Sequence, residues 1–122
     1  MVQSKKYATP YAQVVIVDPG GKAEIPDWRE NVGAVSTDTC MVCVCLPDTD
    51  GETDFSIGNA EDVDPGGYPV FEGKLMTPSD KVALETVEGA SILEVKTAMP
   101  ETTIRIWISH RGSPDKVAIG IA

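Results

Sequence analysis

Apolar side chains recur at every second position through much of this chain, and that period restricts its fold more than any other feature. Residues 101–109 read Glu-Thr-Thr-Ile-Arg-Ile-Trp-Ile-Ser, which places Ile104, Ile106 and Ile108 on one face and Arg105, Trp107 and Ser109 on the other. Segments 81–87, 92–97 and 116–121 alternate in the same way, with Val82 and Leu84, Leu93 and Val95, and Val117, Ile119 and Ile121 in register. Segments 13–17 and 41–46 are apolar on both faces, the pattern of strands covered on each side. Residues 68–76 add a run in which Phe71, Gly73 and Leu75 share a face. A period of two cannot make an amphipathic helix, whose apolar positions recur every three or four residues. Only 27–31, following Pro26 with Asp27 as a cap, predicts a helical turn, stopped by Gly33.

Turn signals at intervals of about ten residues separate these runs, predicting an all-β fold: an antiparallel β-sandwich of roughly 7 to 9 short strands, with a closed β-barrel as the alternative. Glu88, Gly89 and Ala90 read as a hairpin turn. Val-Asp-Pro-Gly-Gly occurs at both 17–21 and 63–67, but the flanks differ, so two tight turns are expected rather than a repeat. A chain of 122 residues forms a single domain, here 1–122. It can bury roughly two-thirds of its unfolded surface and needs no metal or disulfide to hold a core. Within it, 1–10 is expected to be a flexible N-terminus and 47–67 an acidic loop region. No apolar run approaches the roughly 20 residues that span a bilayer, and 1–10 lacks the apolar stretch of a secretory signal. A cytoplasmic protein without membrane contact is expected.

Cysteine usage agrees with a reducing compartment. Cys40, Cys43 and Cys45 are odd in number and cannot all pair within the chain. In a strand Cys43 and Cys45 face one side and Cys40 the other. The spacing invites a zinc site with His110, the only histidine, as fourth ligand. Against it, the run from Cys40 to Leu46 is wholly apolar, where cysteine behaves as a small hydrophobe. Reduced core thiols, no metal and no cofactor are expected.

Charge is divided unevenly. Residues 30–73 hold ten acidic side chains and no lysine or arginine, whereas the rest of the chain holds nine acidic and ten basic ones. Seven of the ten, namely Asp48, Asp50, Glu52, Asp54, Glu61, Asp62 and Asp64, lie within 48–64, spaced by Gly, Thr, Ser and Asn around a short apolar piece at Phe55 and Ile57. Such a segment reads as a long loop or a weak edge strand. It can be a solvated loop. It can also be a calcium loop, with Asp48, Asp50 and Asp54 at ligand positions, but it lacks the bidentate glutamate of an EF-hand, so only weak calcium association is expected. The third reading is a docking surface of these seven carboxylates for a basic protein, because complementary potential steers encounter. A net charge of -9 disfavours nucleic acid and anionic membranes as partners.

Catalytic constellations are hard to assemble. His110 sits in a Gly-Ser-Pro loop better suited to turning than to holding a base, the thiols lie in an apolar strand that raises their pKa, and no glycine-rich phosphate cradle opens a helix. No catalytic residues are assigned, and a non-enzymatic protein is expected. Trp28 and Trp107 are expected in the core.

Several strand patterns resemble the bacterial ComJ family of competence proteins, inhibitors of the DNA-entry nuclease. They are a first strand containing Tyr11-Ala-Gln-Val-Val, then Pro26-Asp-Trp28 before the 41–45 strand, followed by Tyr68-Pro-Val-Phe71 and Lys81-Val-Ala-Leu-Glu85. The last is Met99-Pro100 leading into Thr103-Ile-Arg-Ile-Trp107. Their order and spacing cover most of 11–122. The chain departs from the family at 101–103, where a glycine with an aromatic residue would be expected, and in the density of its acidic segment. The resemblance implies an immunity-type nuclease inhibitor whose carboxylates occupy a basic cleft where phosphates would sit. The contrasting expectation is a structural or accessory sandwich, of phage, secretion-system or polysaccharide-associated type, in which the acidic segment has no inhibitory role. The oligomeric state is left open.

Overall fold

The computed structural model describes residues 2–28, 33–110 and 112–122, and among these ten strands form two five-stranded sheets. The first runs in the order β1 (Gln3–Tyr7), β5 (Thr53–Asn59), β10 (Lys116–Ile121), β9 (Glu101–Ile108) and β6 (Phe71–Met76). The second runs β3 (Ala34–Ser36), β4 (Cys40–Val44), β2 (Gln13–Val17), β7 (Lys81–Thr86) and β8 (Ser91–Lys96). Each sheet keeps two edges, so the fold is an open β-sandwich and not a closed barrel. One pairing departs from the antiparallel expectation: β10 lies parallel to β5, with Val117 opposite Phe55 and Ile119 opposite Ile57. Distant segments can pair this way because no short hairpin constrains their direction.

Alternation places the core where the sequence indicates. Val14, Ile16, Met41, Cys43, Phe55, Ile57, Val82, Leu84, Ile104, Ile106 and Ile119 fill the space between the sheets. Fully burying each such aliphatic or aromatic side chain stabilises the fold by about 1.5–3 kcal/mol before entropy is counted.

Three elements lie outside the runs read as strands. Residues 3–7, within the segment expected to be flexible, form β1 along β5; the exposed Gln3, Ser4, Lys5 and Lys6 carry no apolar pattern to reveal it. Residues 34–36 form the short edge strand β3. Residues 47–67, expected as one acidic loop, divide into a 3-10 turn (Asp48–Asp50), β5 and a short helix α1 (Ala60–Val63). Asp27 and Trp28 are not helical, and the remainder of the helical turn expected over 27–31 lies outside the described residues.

Both sheets are also partly covered on their outer faces. Trp107 is buried there against Ala60 and Val63 of α1, and its indole N–H donates to the Gly67 carbonyl at 3.4 Å. Trp28, in contrast, is 37% exposed, which corrects the expectation that both indoles are core. Seating α1 this closely requires Gly120, since a Cβ there would lie 2.8 Å from both Ala60 Cα and Trp107 Cζ3. Gly120→Val is therefore expected to cost about 2 kcal/mol, as overpacking does. It should also red-shift tryptophan emission as α1 moves off the indole; an unshifted spectrum would mean that the helix does not cover Trp107.

On the second sheet, residues 18–28 form a strap over the outer cluster of Val15, Val17, Cys40, Val42 and Ala83. Asp18 fastens one end, its carboxylate accepting from Gly20 N–H at 2.8 Å and from Ser79 N–H at 2.7 Å. Further along, the Glu24 N–H donates to Thr39 Oγ1 at 2.9 Å, and the Glu24 carbonyl accepts from Thr37 Oγ1 at 2.6 Å. The second Val-Asp-Pro-Gly-Gly turn repeats the local bond, Gly66 N–H donating to Asp64 Oδ1 at 2.7 Å. Both copies are thus turns closed by an aspartate side chain.

Candidate protein-binding surface

The 3-10 turn begins after Pro47, whose fixed φ suits a turn entry. It is closed by the Asp50 N–H donating to the Pro47 carbonyl at 2.9 Å. Thr53, fully buried at the start of β5, anchors it by accepting from the Leu46 N–H at 3.1 Å. Asp48 and Asp50 are exposed on this turn, and Glu52, just after its Gly51 cap, is exposed beside them. Beside it lies a second 3-10 turn (Pro10–Ala12), where Tyr11 is 71% exposed at a φ of 65°. The sequence pattern places Tyr11 in the first strand. The structure places it in the turn before β2, because Pro10 and the left-handed backbone at Tyr11 and Ala12 delay the strand to Gln13. An exposed aromatic beside carboxylates is a feature of this surface that charge counting misses, and Pro10 is the sequence signal for this turn.

Asp54 belongs to a different environment. It is half-buried on the outer face of β5, directly opposite Lys6 on β1 and Lys116 on β10. Opposite charges at facing sheet positions attract by about 0.2–1 kcal/mol, so this carboxylate sits in a more basic stretch than the other six. Glu61 and Asp62 are exposed on α1, and Asp64, also exposed, closes the turn that follows. β5 separates the two acidic groups by about 20 Å of extended chain at roughly 3.3 Å per residue. The seven carboxylates are thus one cluster of three, one sheet residue between lysines, and a second cluster of three near Trp107.

Between them the outer face of the first sheet carries a depression of about 330 Å³, lined by Ser4, Asp54, Ser56, Pro65, Ser109 and Lys116 among others. Ser109 Oγ donates to Asp115 Oδ1 at 2.9 Å and accepts from the Lys116 N–H at 3.2 Å, fixing the start of β10. His110 is exposed in the same loop.

The thiols lie elsewhere. Cys43 and Cys45 are buried in the core, and Cys40 is buried in the outer cluster of the second sheet, so strand alternation sets them on opposite faces. Burial, reinforced by the negative charge of Glu85, pushes Cys40 up to about 11. Burial likewise raises Cys45 to about 11, with the neighbouring Thr9 and Thr53 hydroxyls partly opposing it. Cys43, more deeply enclosed and beside Cys45, is raised further. Such thiols are poor nucleophiles and poor ligands at neutral pH. Among the described residues no three His, Cys, Asp or Glu side chains converge as a metal-binding group.

The strand order and the parallel β5–β10 pair define a two-sheet, mixed β-sandwich. No family model and no curated protein matches the sequence. Among solved structures, the chain is similar to the crystal structure of ComJ, inhibitor of the DNA degrading activity of NucA, from Bacillus subtilis. The TM-score is 0.69 over 99% of this chain and 97% of that one, at 12% identity. The likeness read from strand patterns is therefore a likeness of fold along nearly the whole chain. Among the described residues no helix is long and apolar enough to cross a membrane.

Proposed function

We propose that this domain is a non-catalytic acidic binding protein that masks the basic surface of a protein partner, a nuclease, as an inhibitor. The observation that carries the reading is the confinement of the excess negative charge to 30–73, from which exposed carboxylates emerge at both ends of β5. The sandwich shared with ComJ, itself a nuclease inhibitor, supports it. Asp48, Asp50 and Glu52, beside Tyr11, form the leading contact; Glu61, Asp62 and Asp64 form the second. Carboxylates at these positions replace backbone phosphates in a basic cleft, so inhibition is competitive and involves no chemistry on the inhibitor.

Capture of a basic nuclease from the native host, followed by association kinetics, tests this. Asp48→Asn, Asp50→Asn and Glu52→Gln together are expected to slow association about five- to tenfold at low salt. The difference should shrink as salt rises, since screening acts over roughly 8 Å at physiological ionic strength. The melting temperature should hold, because these side chains are exposed. Unchanged rates with an unchanged salt slope would leave the accessory-sandwich reading in its place.

A further inference from the structure

On the outer face of the second sheet, the strap and β7 enclose a groove of about 290 Å³. Val15, Val17 and Val42 form its aliphatic floor, each at most 7% exposed, while Ile25 at 67% and Val87 at 40% stand exposed at its rim. Two carboxylates line it. That of Asp18 is committed to the Gly20 and Ser79 N–H groups. Glu85 has neither a hydrogen bond nor a counter-cation among the described residues; the cation on its own strand, Lys81, is taken by Glu94 at 3.6 Å. The strap wall is held at Asp18 and Glu24, so the groove is preformed. Its volume falls just under the range of about 300–1,000 Å³ typical of small-molecule pockets, and suits one or two side chains.

We infer that this groove receives a lysine or arginine side chain flanked by aliphatic residues, presented by a protein partner, with the stem on Val15, Val17 and Val42 and the cationic head on Glu85. Long basic side chains bury an apolar stem while keeping the charged end on a polar group, the arrangement these walls and this lone carboxylate complement. Burial and the nearby Glu94 raise the pKa of Glu85, so an arriving cation would relieve an existing electrostatic cost. The site lies on the sheet opposite the acidic clusters, and it rests on the proposed function only in taking the partner to be basic.

The test is an amide chemical-shift titration of the labelled protein with acetyl-Leu-Lys-Leu-amide, with the norleucine analogue as the uncharged control. Shifts concentrated at Val15, Ile25, Glu85 and Val87, and about fivefold weaker binding of the control, are expected. Glu85→Gln should weaken the lysine peptide to the level of the control while leaving the remaining spectrum unchanged, and Ile25→Ser should weaken both peptides. The Asp48→Asn, Asp50→Asn, Glu52→Gln variant should bind the lysine peptide as the wild type does. Shifts centred on residues 48–54, or equal binding of both peptides, or indifference to Glu85→Gln, would overturn the groove assignment and leave the proposed function standing. Conversely, an intact groove response beside unchanged partner kinetics in the triple variant would overturn the latter alone.

Discussion

Between pH 9 and 11 the folded protein is expected to lose stability steeply, by up to about 1.4 kcal/mol per pH unit for each of its three buried thiols. Well below pH 9 the thiols are protonated in both states and add no pH dependence. Above it, those of the unfolded chain ionise, while Cys40 and Cys45 hold their protons to about 11 and Cys43 holds its own beyond that. The unfolded state then binds fewer protons than the folded one, so the unfolding free energy falls as pH rises. By about pH 10.5 the loss amounts to about 2 kcal/mol per thiol, a sizeable fraction of the total stability of an ordinary domain, about 5–15 kcal/mol. Urea unfolding in steps from pH 8 upward measures this directly. Cys43→Val, which keeps an apolar side chain in the core, should reduce the slope by about a third. A slope indifferent to that substitution would mean that the thiols do not cause the alkaline loss.

Asp18→Ala should lower stability by about 3 kcal/mol, since it removes two hydrogen bonds to a charged acceptor, each worth about 1.5–3 kcal/mol. Some of that is recovered because the freed N–H groups reach water. Asp18 is only 5% exposed, and it joins the strap to the β6–β7 turn across 61 residues of sequence, so no local rearrangement can replace it. A fall in melting temperature of roughly 10 °C follows for a domain of this size. Asp18→Asn, which keeps one acceptor oxygen, should lose about half as much. Equal melting temperatures for wild type and Asp18→Ala would mean that the strap is held at Glu24 alone.

The acidic segment marks where sequence reading stops being sufficient. Counting charges isolates Asp48, Asp50, Glu52, Asp54, Glu61, Asp62 and Asp64, but treats them as equivalent. Asp54 is set apart by its neighbours Lys6 and Lys116, which belong to strands remote in sequence. Phe55 and Ile57, read as an interruption in a loop, are fully buried in β5. Three alternating residues are too few to distinguish a sheet strand from an apolar patch on a loop.

What the sequence determined alone is whatever depends on near neighbours along the chain. Side chains in a strand point alternately to its two faces, so the inward set at Ile104 and Ile106, the opposed thiols of Cys40 and Cys43, and the double-sided burial of 13–17 were all legible from spacing. Tertiary structure decided which strands became neighbours. Backbone hydrogen bonds carry no side-chain identity, so nothing in residues 3–7 named β5 as their partner, and nothing in 116–121 announced a parallel pairing. The same holds for the Glu85 groove, whose walls are brought together by a strap that Asp18 fastens to Ser79. Alternation specifies a face; only packing supplies what lies across from it.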